Sequence, residues 1–249
     1  MSATKPVVFI VHGAWQGPHQ YKSIRDALTE RGFTVVQPAN LSTNTDATQN
    51  DGKTPYDDAK NIQSMMEPYL AAGREIVLIC HSYGGIPGSL ALDGYQITDR
   101  QAKGLPGGVR RIVYLSAIAL PQANMSAMDL IGQYPPGVEL KGGVLGITDP
   151  AAFDDVDEDA LPSLMETVAL QSTASLNTPV HFVGSSASIP KTYIMCSQDK
   201  VIPPEAQAAM VQALGENTTT ESIESGHIGF LIARVRPQLF DLLEKSALL

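Results

Sequence analysis

The chain has 249 residues, of which 43% are hydrophobic and 17% are charged, a composition that excludes disorder and is enough for a large buried core. Its net charge of −9 disfavours nucleic acid or an anionic membrane as the main partner, because both require clustered positive charge. Two cysteines cannot form a disulfide framework, and the first apolar run, Val7–Val11, is too short for a signal peptide or a membrane span. We therefore expect a soluble, cytoplasmic protein.

Short apolar runs alternate with amphipathic stretches along the chain, as in a parallel sheet covered by helices. The predicted strands are Val7–Val11, 34–37, 75–80, 109–115, Lys191–Cys196 and Thr218–Ile223. Their lack of polar alternation predicts burial on both faces. The predicted helices are 18–31, 55–72, 82–92, Pro204–Leu214 and 237–248. The fold class is therefore α/β, with a mostly parallel central sheet and helices on both faces.

Two helix ends have recognisable signals. Thr54 and Pro55 suit the N-cap and the first position of the second helix, and Gly32 is placed to end the first.

Residues 121–190 interrupt this alternation, because they contain no convincing buried strand. They open with turn-rich sequence and then show a helical pattern over residues 157–171. An insertion of this length between two strands predicts a lid over the sheet. We expect a core of residues 1–120 and 191–249, and we call residues 121–190 the lid segment. The polar stretch 40–53 predicts a second mobile loop.

The predicted strand 75–80 runs directly into Ser82, with Cys80 two residues before it and Gly84 two residues after it. A serine between small residues, in a strand–turn–helix context, is typical of a nucleophile elbow. The turn strains the serine backbone and holds its hydroxyl above the sheet edge. Ser82 is therefore the predicted nucleophile.

A serine hydroxyl needs a base to take its proton, and five histidines are available. His227 follows the last predicted strand at its C-terminal end, where ligands bind in open α/β sheets. Asp199 follows strand Lys191–Cys196 at the same edge and is the predicted acid that orients the imidazole. The chain order Ser82, Asp199, His227 is the order that accompanies this elbow.

The other four histidines are not predicted to be the base. His12 has a structural role in the turn after the first strand, and His19 is solvated on a surface helix. The side chain of His81 points away from Ser82, and His181 lies in the lid segment without an assigned place.

A tetrahedral intermediate carries an oxyanion that needs two preorganised donors. The predicted donors are the backbone N–H of Tyr83, at the start of the helix after the nucleophile, and that of Ala14, in the loop after the first strand. Gly13 lets this loop come close. Trp15, the only tryptophan, lies at the predicted pocket mouth, where it either packs or contacts substrate.

Four segments, residues 11–15, 80–85, 193–203 and 226–227, together resemble the α/β-hydrolase superfamily, and most closely its plant methylesterase and hydroxynitrile lyase branch. This resemblance implies chemistry without a cofactor, by a Ser-His-Asp triad acting on small esters, lactones or cyanohydrins. It also implies that Ile118 faces the pocket, so that Gly13, Trp15 and Ile118 are the candidate substrate contacts.

The resemblance favours the esterase side of this branch. S-selective lyases carry threonine at the position of Gly13 and lysine at that of Ile228, and R-selective relatives carry asparagine at the position of Gly13. Cys80 departs from the glycine that is usual in the family.

No metal and no cofactor is predicted. The sequence has no phosphate loop with a lysine, no dinucleotide fingerprint and no Cys/His cluster with zinc spacing. Asp155, Asp157, Asp159 and Glu166 have the spacing of a calcium loop, but Ala160 stands where the loop needs glycine.

These patterns predict a serine hydrolase that cleaves a small, mostly apolar carboxylic ester or lactone through an acyl-enzyme. Three alternatives stay open. They are a hydroxynitrile lyase-like enzyme of the same fold, a cofactor-free oxygenase or cyclase, and a non-catalytic receptor that keeps the pocket. The expected partner is a small-molecule substrate, whose identity is left open, as is the oligomeric state.

Overall fold

The structure is a computed structural model that describes residues 4–134, 137–149, 156 and 161–249. The strands in the described part are β1 Val7–Val11, β2 Thr34–Val36, β3 Thr43–Asn44, β4 Glu75–His81, β5 Gly108–Leu115, β6 Val138–Lys141, β7 Val144–Ile147, β8 Leu170–Ser172, β9 Lys191–Cys196 and β10 Thr218–Ile223. The helices are α1 Lys22–Glu30, α2 Ala47–Asn50, α3 Pro55–Ala71, α4 Gly85–Leu90, α5 Ile97–Ala102, α6 Ala127–Ile131, α7 Leu161–Glu166, α8 Thr173–Asn177, α9 Pro204–Leu214 and α10 Arg236–Leu248.

Six strands form one parallel sheet in the order β2-β1-β4-β5-β9-β10. The predicted α/β class and its mostly parallel sheet are confirmed. The four central strands are buried on both faces, as predicted. The two edge strands, β2 and β10, are half-exposed instead, because each has a neighbouring strand on one side only.

The sheet separates two apolar layers, and alternate residues of each strand contribute to different layers. From β1, Phe9 packs in the layer that contains Ile62 of α3. Its neighbour Ile10 points the other way, into the layer that contains Leu28 of α1 and Leu239 of α10. Helices on both faces therefore hold the central strands rigidly, and the C-terminal strand ends lie together at one edge.

The helix signals read from the sequence agree with the structure. Thr54 precedes α3, and its backbone N–H donates to the Asp57 carboxylate at 2.9 Å, so it forms a capping box with the third helical residue. Gly32, which follows α1, has φ of +83°, a backbone conformation that side chains disfavour. No helix of the described residues is long and apolar enough to cross a membrane.

The prediction that the lid segment contains no buried strand is wrong. Strands β6 and β7 form a hairpin, and β7 pairs with β8, which pairs with β3 in a four-stranded antiparallel sheet. The Gly142-Gly143 pair, between the alternating segment Val138–Lys141 and the apolar segment Val144–Ile147, was the available hairpin signal. The core and lid boundaries themselves stay a prediction.

The predicted helix 157–171 is correct only in part. Helix α7 covers Leu161–Glu166, whereas Leu170–Ser172 is strand β8, because these residues pair with β3 and β7. Residues 157–160 lie outside the described residues, as do Asp155, Asp157 and Asp159 of the calcium-loop pattern.

The prediction that residues 40–53 form a loop is also wrong. This stretch contains β3 and α2, and Asn40, Ser42 and Asn50 are buried within it. Asn50 donates to the carbonyls of Ser42 and Leu170, at 3.1 and 2.7 Å. Polar composition misled the prediction, because here the polar side chains pair with backbone groups inside the protein.

Candidate active site

Ser82 follows the last residue of β4 with φ of +53°, in the left-handed region that few non-glycine residues adopt. The turn is tight because strand, loop and helix meet there. A Cβ atom on Gly84 would lie 2.6 Å from the carbonyl oxygens of Val11 and His12, and one on Gly85 would lie 2.4 Å from that of Ile118. Strain at Ser82 and space only for glycine beside it are the features of the predicted elbow.

Cys80 takes the place of the small residue before the elbow, and Gly88 of α4 makes room for it. A Cβ atom on Gly88 would lie only 2.3 Å from the Cys80 sulfur. Burial raises the pKa of the Cys80 thiol far above its ordinary value, so the sulfur is a neutral packing group. The elbow therefore accommodates the Cys80 side chain through a compensating glycine on the facing helix.

Asp199 and His227 form a buried pair at the C-terminal edge of the sheet. The Nδ1 atom of His227 lies 2.7 Å from Oδ2 of Asp199, while Oδ1 accepts the backbone N–H groups of Val201 and Ile202 at 2.8 Å each. Burial alone would raise the pKa of the Asp199 carboxyl, but the hydrogen bonds, first the one from His227, hold it below its ordinary value. The carboxylate is therefore charged and fixes the imidazole with Nδ1 protonated.

His81, the residue before Ser82, connects the elbow to this pair. Its ring centroid lies 4.6 Å from that of His227, and its Nε2–H donates to the His227 carbonyl at 2.9 Å. Its Nδ1 lies 2.7 Å from the Tyr21 hydroxyl. Burial and the neighbouring His227 lower the pKa of His81 to about 3, so it is neutral at neutral pH. The side chain does point into the turn, where it holds the His227 loop against β4.

The loop after β1 lies directly against the nucleophile. A Cβ atom on Gly13 would lie 2.9 Å from the Cβ of Ser82, so a side chain here would displace the loop. The Gly13 N–H donates to the Tyr21 hydroxyl at 2.9 Å. Among the described residues, the backbone N–H groups of Ala14 and Tyr83 have no protein acceptor. These two amides are therefore available as donors to a ligand.

Trp15 is fixed to the lid segment. Its indole N–H donates to the Leu145 carbonyl at 3.0 Å, and its own carbonyl accepts the Ala169 N–H at 2.8 Å. Its backbone N–H points to Oε1 of Gln171 at 3.4 Å, and its φ is +59°. Two roles were considered for Trp15, packing and substrate contact. These bonds favour the packing role, in which Trp15 attaches its loop to the lid segment.

Ile118 lies between the nucleophile and an apolar cavity. Its N–H donates to the Ser82 carbonyl at 2.9 Å. The cavity measures about 390 Å³, within the range of small-molecule pockets, and all twelve residues of its wall are apolar. The wall includes Ile118, Leu130, Val201, Ile202 and Met210. The cavity thus borders the loop that carries Asp199, and its wall residue Ile118 contacts the elbow through the Ser82 carbonyl.

The hydrogen bonds of His12 and His181 go to groups other than the proposed triad. The Nδ1–H of His12 donates to the Gly13 carbonyl at 2.8 Å, and its Nε2 accepts the Asn40 N–H at 2.9 Å. Burial lowers its pKa to about 4. His19 is exposed on the surface, and His181 bonds Asp93 there at 2.9 Å.

Two further buried contacts of this site were not predicted from the sequence. The Ser116 hydroxyl, directly after β5, donates to Oδ2 of Asp199. The Tyr83 hydroxyl donates to the fully buried Asp58 of α3 at 2.7 Å, and burial raises the pKa of Asp58 to about 6. The position of Ser116 at the C-terminal end of a central strand was a usable signal, but Asp58 lies on a helix without one.

No group of three or more His, Cys, Asp or Glu side chains in the described part of the chain is arranged to hold a metal ion. The site itself offers three kinds of group for chemistry. These are a strained serine at a sheet edge, an imidazole oriented by a carboxylate, and two amide donors without a protein acceptor among the described residues.

Comparisons with known proteins agree with this geometry. The model of the alpha/beta hydrolase family matches residues 7–238. The chain is 32% identical to "Probable hydrolase R7" of Phoma sp. over 234 residues, which is 90% of this chain and 91% of the relative. Its fold is similar to that of a pyrethroid hydrolase from Sphingobium faniae, with a TM-score of 0.77 at 18% identity over 97% of each chain. It is also similar to polyneuridine aldehyde esterase, with a TM-score of 0.75 at 19% identity over 97% of this chain and 98% of the other. The chain therefore belongs to the alpha/beta hydrolase family.

Proposed function

We propose that this protein is a serine hydrolase that cleaves a small, mostly apolar carboxylic ester or lactone through an acyl-enzyme. The observation that carries the proposal is the 2.7 Å bond between Asp199 and His227 at the sheet edge where Ser82 occupies a strained turn. The 32% identical relative is named a probable hydrolase, which supports the same reaction class.

In the proposed reaction, the Ser82 oxygen attacks the substrate carbonyl while His227 takes the hydroxyl proton. Asp199 stabilises the resulting imidazolium, and its lowered pKa keeps it charged for this role. His227 then protonates the leaving alcohol as the C–O bond breaks. In the second half of the reaction, water deprotonated by His227 attacks the acyl carbon, and His227 returns the proton to the Ser82 oxygen as the ester bond breaks and the acid leaves.

The amides of Ala14 and Tyr83 are the proposed oxyanion hole. Neither has a protein acceptor among the described residues, and both flank the Ser82 turn. Tyr83 is fixed by its hydroxyl bond to Asp58, and the loop of Ala14 by the bonds of Gly13 and Trp15. Donors held in place before the reaction stabilise the oxyanion without a reorganisation cost.

The apolar cavity beside Ile118 supports an apolar substrate. Its wall offers no polar side chain, so it favours an alkyl or acyl chain over a charged or sugar group. In S-selective lyases a threonine hydroxyl and a lysine ammonium group are expected at the positions of Gly13 and Ile228. Neither Gly13 nor Ile228 supplies such a group. We therefore prefer the esterase hypothesis to the lyase hypothesis.

The test compares the wild type with Ser82→Ala on p-nitrophenyl esters from acetate to octanoate. We expect wild-type kcat/KM to rise from acetate to the medium chains, and Ser82→Ala to lose at least about a thousandfold on every ester. Ser64→Ala, which alters an exposed serine of α3, is the matched control and should keep full activity. A fluorophosphonate should label the wild type and not Ser82→Ala.

Two results would contradict the proposal. In the first, the folded wild type hydrolyses none of these esters and no lactone, and fluorophosphonate does not label it. That result would indicate a receptor or another chemistry. Cleavage of a cyanohydrin by wild type without any acyl-ester turnover would favour the lyase.

A further inference from the structure

Ser116 contacts the Asp199–His227 pair and takes no direct part in the bond changes of the proposed reaction. It follows the last residue of β5, its side chain is completely buried, and its hydroxyl donates to Oδ2 of Asp199. The same oxygen accepts from Nδ1 of His227 at 2.7 Å. Ser116 and His227 therefore share one carboxylate oxygen.

The backbone at Ser116 is strained in a way that serves this contact. Its φ is +36°, in the left-handed region, although the residue is not glycine. Its N–H still bonds the Ile194 carbonyl of β9 at 3.0 Å, so the strand pairing holds the unusual conformation in place. Strained residues of this kind persist where the surrounding structure imposes them, and they cluster at functional sites. The conformation directs the hydroxyl at the carboxylate that follows the neighbouring strand.

The hydrogen bonds of Asp199 are then complete. Oδ1 accepts the amides of Val201 and Ile202, and Oδ2 accepts Ser116 and His227. A carboxylate oxygen that already accepts a hydrogen bond from a hydroxyl has less negative charge available to stabilise a protonated imidazole. The hydroxyl therefore both fixes the orientation of the carboxylate and limits how strongly it stabilises the imidazolium.

We propose that Ser116 is a positioning residue of the hydrolase, which acts through Asp199 to set the orientation and basicity of His227. The proposal rests on the proposed function for its kinetic consequence, but its effect on His227 exists with or without turnover. Loss of the hydroxyl should leave Oδ2 to His227 alone, and so raise the pKa of the imidazole and loosen its orientation.

Other titratable groups around the carboxylate do not obscure this effect. His81 is neutral at neutral pH, because burial lowers its pKa to about 3. Burial raises the pKa of Tyr193 far above its ordinary value, and Cys196 is a buried thiol. Neither His81 nor Tyr193 therefore changes its protonation state near neutral pH.

The test measures the pKa of the His227 imidazole by NMR in wild type, Ser116→Ala, Ser116→Gly and Ser116→Thr. We expect an upward shift of about half a pH unit in the Ala and Gly variants, and a value close to wild type in the Thr variant, which keeps the hydroxyl. The acid limb of the kcat/KM profile for an ester should move by the same amount, with kcat lowered about 10- to 100-fold.

The Gly variant separates positioning from backbone strain. Glycine adopts a positive φ freely, so Ser116→Gly should fold at least as well as Ser116→Ala. It should nevertheless show the same shift. Ser246→Ala, which removes another buried hydroxyl bonded at 2.7 Å to the Leu242 carbonyl, is the remote control and should leave the His227 pKa unchanged.

The proposal is overturned if the His227 pKa is the same in wild type, Ser116→Ala and Ser116→Gly. Because this NMR readout needs no substrate, it stands even if no ester is hydrolysed. Failure of the proposed function would instead appear as an absent acyl turnover in the wild type.

Discussion

At the residue scale, the elbow depends on matched side-chain sizes across the contact between β4 and α4. Cys80 contributes a sulfur where the general elbow pattern has glycine, and Gly88 offers the empty space that the sulfur fills. A close-packed interior tolerates an extra atom only where a neighbour gives up volume. The two positions are therefore coupled, although eight positions separate them in the sequence.

Gly88→Ala tests this coupling. Alanine is the better helix former, yet its Cβ would lie 2.3 Å from the Cys80 sulfur, so we expect a loss of about 1–3 kcal/mol in the free energy of unfolding. Urea denaturation measures the loss. The double variant Cys80→Ala/Gly88→Ala should recover most of it, because the Cys80 Cβ would lie at an ordinary 3.5 Å. Additive effects of the two substitutions would show that the positions are independent.

The candidate site residues differ in how readable they are from sequence. Ser82, Asp199 and His227 each follow a recognisable strand, so chain order and the shared sheet edge point to them. Ser116 also follows a strand, but a lone serine has no motif around it. Its bond to Asp199 depends on β5 and β9 being neighbours in the sheet, which only the strand order reveals.

At the scale of elements, the lid segment is joined to the core through a buried polar network around Gln171 of β8. Its side-chain amide donates to the hydroxyls of Ser42 and Ser175, and its Oε1 accepts the Thr43 hydroxyl at 2.6 Å. The same oxygen faces the N–H of Trp15. One side chain thus connects the four-stranded antiparallel sheet to the loop of the proposed oxyanion hole.

Gln171→Ala should disconnect these elements. It leaves buried hydroxyls without their partner, so we expect a loss of about 1–3 kcal/mol in the free energy of unfolding. Hydrogen–deuterium exchange should quicken at the amides of β3, β7 and the Trp15 loop. Gln198→Ala, which removes an exposed amide bonded to Glu224, should change neither quantity. Unchanged exchange in these three elements would show that the lid is held by other contacts.

At the scale of the whole molecule, three buried titratable groups have opposite effects on how the free energy of unfolding depends on pH. Burial lowers the pKa of His12 from 6.5 to about 4 and that of His81 from 6.5 to about 3. Their contribution to stability is present above pH 6.5 and is lost as the pH falls towards these folded values. Burial raises the pKa of Asp58 from 3.8 to about 6, so its contribution is present at low pH and is lost as the pH rises towards 6.

The balance of these groups predicts acid sensitivity. Between about pH 4 and about pH 6, unfolding exposes two histidines that take up protons and one aspartic acid that releases one. The net uptake of about one proton should lower the free energy of unfolding by about 1.4 kcal/mol for each pH unit of acidification. Urea denaturation across this range measures the slope, which should persist at high salt because the groups are buried. A flat or opposite slope would contradict the prediction.

The sequence by itself determined the parallel α/β sheet and the positions of its strands, and it predicted the elbow serine with its two candidate partner residues. These features are local patterns: apolar runs, helix caps and motifs that follow strand ends. The tertiary structure decided the rest, namely the lid sheet, the Gly88 space for Cys80, the Asp58 contact and the Ser116 bond to Asp199. Each of these joins residues distant in the chain through pairing or packing, and such contacts leave no periodic or compositional trace in either segment alone.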